Sequence, residues 1–215
     1  FVGGTASGKT TSLNACSLFL PWQHKIVSIE ETRELNLPHP NWIPGCTRQG
    51  FGGESAGSGV KAAGEVDMYD LLRAALRERP EYIIVGEIRG AEAYVLFQAM
   101  ATGHTTYSTF HADSIQSLVH RLENKPIEIP RVLIPALDGI SIQIQTRVGG
   151  KRVRRNKGII EIIGIDPHSH ELLTNEAFRW DNTVDEFVFT GKSYIFEKIM
   201  MKANLMFTYA SNQNS

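Results

Sequence analysis

The sequence predicts an α/β fold in which a core on a mainly parallel sheet is followed by an antiparallel hairpin and a small helical C-terminal part. Three observations carry this. Residues 3–11 read GGTASGKTT, a glycine-rich loop of the kind that joins a strand to a helix. Short apolar runs that read as strands (KIVSI, YIIV and TTYST) then alternate with helix-period segments that stop at proline or glycine. After residue 139 the rhythm changes to period two, with Ile140, Ile142 and Ile144 alternating with Ser141, Gln143 and Gln145 ahead of Gly149-Gly150. That change divides the chain into a core over 1–139 and strands plus a helix over 140–215 that complete it.

The elements follow in order. Only Phe1 and Val2 precede the glycine loop, a strand stub, and with Phe1 in place of an initiator Met the sequence is expected to be part of a longer protein. A helix is predicted over 10–20, stopped by Pro21, and a buried strand over 25–29. Residues 45–64 hold seven glycines, too many for a regular element, and read as a flexible loop. Asp67 caps a helix whose Met68, Leu71, Leu72, Ala75 and Leu76 recur at helical spacing until Pro80. A strand over 82–85, a helix over 91–101 closed by Gly103, a strand over 105–109 and a helix over 114–123 continue the alternation. The stretch 126–137 is punctuated by proline. Beyond the Gly149-Gly150 turn come strands over 158–165 and 176–180, separated by the polar DPHSH, and a last helix over 193–204.

Composition narrows the classes of function. At 42% hydrophobic and 21% charged the 215 residues can bury a sizeable core, which excludes a disordered tail. Lys and Arg total 22 against 23 Asp and Glu, so a net charge of -1 gives no bulk attraction to nucleic acid or to an anionic membrane. Cys16 and Cys46 have no partners at metal-ligand or C-x-x-C spacing, which speaks against a disulfide framework or a zinc site and for a reducing setting. The longest apolar stretch, around 133–144, is broken by Pro135, Asp138 and Gly139 and is too short to span a bilayer.

The chemistry concentrates at the ends of the predicted strands. In GGTASGKTT the glycines let backbone N–H groups converge on phosphates, and the helix that follows adds its positive end. Gly3, Gly4, Thr5, Ala6, Ser7, Gly8, Lys9, Thr10 and Thr11 are therefore the candidate phosphate-binding residues; Lys9 would reach the β- and γ-phosphates of ATP, and the Thr10 hydroxyl would ligate Mg²⁺. Glu87, after YIIV, would hold Mg²⁺ partly through water and polarise the attacking water. Glu30, after KIVSI, is the candidate general base, with Glu31 as its solvated neighbour. His104 and His111 bracket the strand TTYST and read as a sensor pair. Arg73 and Arg77 share one helix face, which is either a solvated basic surface or an arginine finger toward a neighbouring subunit. Arg147, Lys151, Arg152, Arg154, Arg155 and Lys157 fall on the predicted hairpin without an acid between them; charge protecting a hairpin edge accounts for them, and contact with acidic lipid, a partner or nucleic acid is the alternative.

Taken together, GGTASGKTT, VSIEETREL, RPEYIIVGEIRG and TGHTTYSTFHADS resemble the Walker A, acidic, Walker B and His boxes of the type II/type IV secretion ATPase superfamily. LNLPHPNW, EAFRWD and FVFTGKSYIFEKI are most similar to its archaeal branch, which serves archaellum and type IV pilus assembly and related secretion. The resemblance implies a RecA-like P-loop ATPase domain of a hexameric, ring-forming motor. It would be cytoplasmic, peripheral at the inner face of the membrane, and act on a polytopic membrane platform protein rather than on nucleic acid. It also implies an upstream domain whose arginines complete the site. Two other classes compete: a RecA-like DNA-dependent ATPase, which would call for excess basic charge, and a nucleotide-binding module without turnover. One departure stands out, since the acidic box usually reads Glu-Asp and here reads Glu30-Glu31.

Overall fold

Hydrophobic periodicity translates into two sheets joined through one very short strand. The structure is a computed structural model that describes residues 1–50 and 62–203. In chain order the strands are β1 (Val2–Gly3), β2 (Ile26–Glu30), β3 (Trp42–Cys46), β4 (Tyr82–Val85), β5 (Thr105–Ser108), β6 (Gly139–Val148), β7 (Lys151–Ile165), β8 (Leu172–Asp181) and β9 (Glu186–Phe189). The helices are α1 (Lys9–Ser17), α2 (Met68–Arg77), α3 (Glu92–Ala101), α4 (Ile115–Glu123) and α5 (Tyr194–Lys202), with a 3₁₀ turn at Arg131–Ala136 in the proline-punctuated stretch.

One sheet has the order β3-β2-β4-β5 and is parallel throughout; the other runs β1-β6-β7-β8-β9 and is antiparallel from β6 onward. β1 pairs in parallel with β6 and also bridges Val2 to Phe110 just past β5, where the Phe110 amide donates to the Phe1 carbonyl at 2.9 Å. The carboxyl ends of β1, β2, β4 and β5 therefore open on the same side, and the loop 3–11 leaves from the middle of the combined surface.

Packing explains why the runs in β2 and β4 are mostly apolar. Val27, Ile29, Ile83 and Val85 belong to the main core with α2, α3 and α4, whereas Ile26 and Ile84 join Leu13, Leu20, Leu35 and Leu37 in a second cluster. Alternate residues of each strand point to opposite faces, so a strand covered on both faces is apolar except where a buried polar group finds a partner, as Ser28 does by accepting the Trp42 indole at 2.9 Å. α2 begins with a reciprocal capping box between Asp67 and Asp70, and α4 and α5 begin with the Ser114 and Ser193 hydroxyls accepting the amide three residues on.

Three elements correct the sequence expectations. β3 includes Gly45 and Cys46, where the loop 45–64 was expected to begin; residues 51–61 of that loop lie outside the described residues. WIPGC is a poor strand by composition, but β3 is an edge strand, where Pro44 removes no ladder bond the sheet needs. β7 starts at Lys151 and is longer than predicted, because the basic run pairs with β6 across the Gly149-Gly150 turn, both glycines at positive φ. β9, four exposed residues at the other edge, follows no pattern a buried strand would show.

The antiparallel part has its own buried carboxylate. Glu161, 2% exposed, accepts the Ser193 hydroxyl at 2.5 Å, the Asn175 side-chain amide at 2.9 Å and the backbone amides of Tyr194 at 2.8 Å and Ile195 at 3.3 Å. Burial alone would raise its pKa, but the hydrogen bonds outweigh burial and hold it below the ordinary glutamate range. A carboxylate at the start of α5 also meets the positive end of that helix.

Candidate functional site

A cavity of about 240 Å³ opens at the shared carboxyl ends, lined by Lys9, Thr10, Glu30, Glu31, Thr32, Glu34, Gly86, Glu87, Arg89, Thr109 and His111. Residues from four separate sequence segments meet there because the parallel strands all finish on that side.

The loop is held in shape by its own residues and by β6. Ser7 donates from its hydroxyl to the Gly4 carbonyl at 2.8 Å, and Lys9 Nζ donates to the same carbonyl at 2.9 Å. Ala6 and Gly8 adopt left-handed φ of 57° and 97°. Gly8 tolerates this, while at Ala6 it costs about 1–2 kcal/mol. A side chain at Gly3 would collide with the Gln143 carbonyl and the Ser7 hydroxyl, so only glycine lets β1 approach β6 this closely. Gly8 precedes α1 directly, which brings the first amides of the helix to the loop. Lys9 is buried; burial lowers its pKa, and the Glu87 and Glu34 carboxylates oppose that.

Glu30 is 2% exposed, and its Oε1 accepts the amides of Glu34 at 2.9 Å and Leu35 at 3.0 Å. Its Oε2 is buried with no hydrogen-bond partner among the described residues. Gly86 makes room for it, since a Cβ there would come within 3.0 Å of Glu30 Cγ. Glu87 pairs through Oε2 with Arg89, and Arg89 reaches on to Glu31 at 3.0 Å. Glu87 Oε1 lies 3.1 Å from His111 Nε2, in ion-pair range but not aligned for a hydrogen bond. Burial first, then the Lys9 ammonium, holds His111 below the ordinary histidine range, against the opposing pull of Glu87. The ring is therefore neutral near pH 7. Thr109 donates to the Gly86 carbonyl at 2.6 Å and ties the ends of β4 and β5 together.

This cavity brings together Lys9, Thr10, Glu30, Glu87 and His111 of the sequence-predicted residues. Gly3, Gly4, Thr5, Ala6, Ser7, Gly8 and Thr11 form the loop and the first turn of α1 beside it. His104 is not among them: it precedes β5 at the amino end of the strand, with Nδ1 3.4 Å from the Thr102 hydroxyl, while the cavity lies at the carboxyl end. The period of a strand explains the separation, because residues bracketing a strand stand at its opposite ends. Arg73 and Arg77 are exposed on α2 and do not line the cavity; Arg73 lies 5.7 Å over the Tyr69 ring. Sequence reasoning passed over Arg89 as a site residue, although its position two residues after Glu87 is a signal. Glu31 is exposed, as expected of a solvated neighbour, and it also pairs with Arg89.

The donor set suits Mg²⁺. Two carboxylate oxygens without hydrogen-bond partners, Glu30 Oε2 and Glu87 Oε1, share the cavity with Thr10, and all are hard oxygen donors. Mg²⁺ keeps several waters and takes one or two protein oxygens beside those of phosphate, so few side chains are needed to hold it.

Comparison with known proteins places this geometry. The whole chain, residues 1–215, matches the family described as type II/IV secretion system protein. An uncharacterized protein of Methanocaldococcus jannaschii is 48% identical over 197 residues, 92% of this chain and 70% of that protein. The type IV secretion system protein PtlH of Bordetella pertussis is 34% identical over 168 residues, 71% of this chain and 46% of PtlH. Among solved structures, the VirB11 ATPase of the Brucella suis type IV secretion system, in complex with sulphate, aligns with a TM-score of 0.58 at 27% identity over 74% of this chain and 46% of its own. The pilus retraction motor PilT with bound ADP shares the fold, with a TM-score of 0.52 at 22% identity over 95% of this chain and 50% of its own. The chain thus spans less than half the length of PtlH and VirB11.

Proposed function

The chain belongs to the type II/IV secretion system protein family, and from that premise we propose that it is the ATP-hydrolysing domain of a secretion or pilus-assembly motor. One observation carries the reading: two buried carboxylate oxygens without hydrogen-bond partners, Glu30 Oε2 and Glu87 Oε1, face a cavity walled on its other side by a phosphate loop with Lys9 and Thr10. Leaving acceptors buried and unpaired is costly unless a ligand supplies their partners. A hydrated cation and a water molecule would supply those partners, and the sulphate held by VirB11 and the ADP held by PilT support an anion and a nucleotide on the opposing phosphate-loop wall.

In this reading the amides of Gly4 to Thr11 cradle the phosphates, Lys9 exchanges the Gly4 carbonyl for phosphate oxygen, and Thr10 and Glu87 hold Mg²⁺, which when bound neutralises charge developing on the transferred phosphoryl group. Glu30, fixed through Oε1 by the amides of Glu34 and Leu35, turns Oε2 to the attacking water and takes its proton. His111, neutral and against Glu87, reads the γ-phosphate from the end of β5. Arg73 and Arg77, exposed on α2, and His104, at the amino end of β5, act across the contact with a neighbouring subunit. We carry the division at 139/140, the hexameric ring, the cytoplasmic position at the inner membrane face and the polytopic platform partner as parts of the same proposal. The archaellum-like or pilus-like machine is named by resemblance. Among the described residues no helix is long and apolar enough to cross a membrane.

Phosphate release by the full-length protein tests the reading. Wild type should turn over ATP with Mg²⁺, Lys9→Ala should neither bind nor hydrolyse it, and a membrane-platform fragment rather than DNA should stimulate the rate. Stimulation by DNA alone would move the chain to the helicase or recombinase class, and ATP binding without turnover would make it a sensing module.

A further inference from the structure

The basic run of the hairpin is not uniform. Arg147, Lys151, Arg152, Arg154 and Lys157 are all exposed, but of these Arg154 reaches back to the phosphate loop, where its Nε donates to the Ala6 carbonyl at 2.7 Å across 148 positions of sequence. Its stem lies over Gly8, whose absent Cβ would stand 3.4 Å from Arg154 Cδ. The accepted carbonyl belongs to the left-handed Ala6, the strained residue of the loop.

The surroundings of Arg154 aim it there. β6 and β7 pair regularly from Val148–Lys151 as far as Gln143–Asn156, and the next pair is Ile142–Gly158, so Lys157 is an extra residue in a bulge. A bulge of this kind twists a strand and redirects its side chains. Asn156 pins it, donating to the Ser141 hydroxyl at 3.0 Å and accepting the Gly158 amide at 3.0 Å. The neighbouring Arg155 is locked by a two-pronged pair with Asp185, both contacts at 2.7 Å, and donates to the Arg154 carbonyl at 2.9 Å. Asp185 also accepts the Trp180 indole at 2.8 Å, and these bonds pull its pKa down to about 2. The turn after β8 thus fixes Arg155, Arg155 fixes the backbone at Arg154, and Arg154 fixes the loop.

We infer that Arg154 is a positioning residue of the phosphate loop, holding the Ala6 peptide so that the loop amides face the phosphates before nucleotide arrives. A donor already charged forms a stronger bond than a neutral one, and a loop fixed beforehand loses less entropy when a phosphate docks. Arg154 lines a second groove with Ser7, Gly8, Thr11 and Asn156 that shares no lining residue with the cavity of Glu30 and Glu87, so it acts on the loop and not on the attacking water. The same bond connects the antiparallel sheet to nucleotide occupancy: a movement of β7 and β8 would reach the phosphates through one side chain.

This inference rests on the proposed nucleotide site, and its test separates the two. Mg-ADP is titrated calorimetrically into full-length wild type, Arg154→Met, Arg154→Lys and Arg152→Ala, with amide hydrogen exchange of residues 4–8 followed without nucleotide. Arg154→Met keeps the stem and loses the donor, so its affinity should fall about tenfold, equivalent to about 1.4 kcal/mol. Exchange in the loop should quicken while the melting temperature stays within a degree or so of wild type, a combination that a purely structural role would not give. Arg154→Lys, whose ammonium can reach the same carbonyl, should recover to within about threefold, and Arg152→Ala should match wild type, on the ~1.4 kcal/mol per decade scale. Equal affinity in Arg154→Met and wild type, a Lys variant no better than Met, or an equal loss in Arg152→Ala overturns the inference. Failure of wild type to bind Mg-ADP overturns the nucleotide reading itself.

Discussion

Glu30 and Glu161 are equally buried, each 2% exposed, yet one sits at the cavity and the other beneath α5. Both oxygens of Glu161 are taken up, by a hydroxyl, a side-chain amide and two backbone amides. Glu30 spends Oε1 on two backbone amides and keeps Oε2 buried and unpaired. The comparison teaches that burial does not identify a functional carboxylate; the count of satisfied oxygens does. A saturated carboxylate is a bolt, and one held rigidly by a single oxygen is aimed at something else.

The largest effects should fall on the cavity side. Lys9→Ala removes the ammonium of the loop and is expected to abolish measurable ATP binding in a calorimetric titration; retained binding would break the comparison at its root. Glu87→Gln should bind nucleotide and lose turnover by about 100-fold or more, the scale of a positioned group that handles the attacking water. His111→Ala should lower turnover far more than affinity, and stoichiometric zinc in the purified protein would contradict its place beside Glu87.

On the bolt side the readout is stability, not turnover. Glu161→Ala leaves the Ser193 hydroxyl and three amide donors without their acceptor, a loss of about 1–3 kcal/mol for each buried group left unpaired. For a chain of this size that is a drop of roughly 2–4 °C in melting temperature per kcal/mol. Nucleotide affinity below the transition should stay unchanged. The pH dependence has a definite sign. The folded pKa of Glu161 is below its unfolded value, so its contribution is complete above pH ~4.5 and is lost as pH falls through the folded value. Melting curves of wild type should therefore drop more steeply below pH ~4.5 than those of Glu161→Gln. The smallest effect is expected at Glu31→Gln: its pair with Arg89 is mostly solvated, and such pairs contribute about 0–1 kcal/mol, so turnover should change by less than about fivefold.

How much of this was legible in the sequence follows from the same physics. The parallel strands were readable because burial on both faces makes YIIV, and IVSI apart from Ser28, a nearly unbroken apolar run, and the phosphate loop because its geometry demands glycine and lysine at fixed spacing. Glu30 and Glu87 were readable as residues directly after such strands. β3 and β9 were not, since edge strands need satisfy only one neighbour and WIPGC and EFVF carry no buried pattern. Glu161 and Arg154 escaped for another reason: their partners, Ser193 and Ala6, are 32 and 148 residues away, and nothing local in a sequence records such a contact. His104 and His111 do bracket β5 as the sequence indicates, but the strand's length sets them at opposite ends and only His111 at the cavity.

The central claim, that the unpaired oxygen of Glu30 is there for the reacting water, is tested most directly by steady-state phosphate release from full-length wild type and Glu30→Gln at saturating Mg-ATP. The substitution keeps the shape and the carbonyl that the Glu34 and Leu35 amides need, and removes only the basic oxygen. Turnover of Glu30→Gln should fall about 100-fold, in the range for loss of a general base, with nucleotide affinity and melting temperature close to wild type. Turnover equal to wild type would contradict it and make Glu30 a second bolt like Glu161.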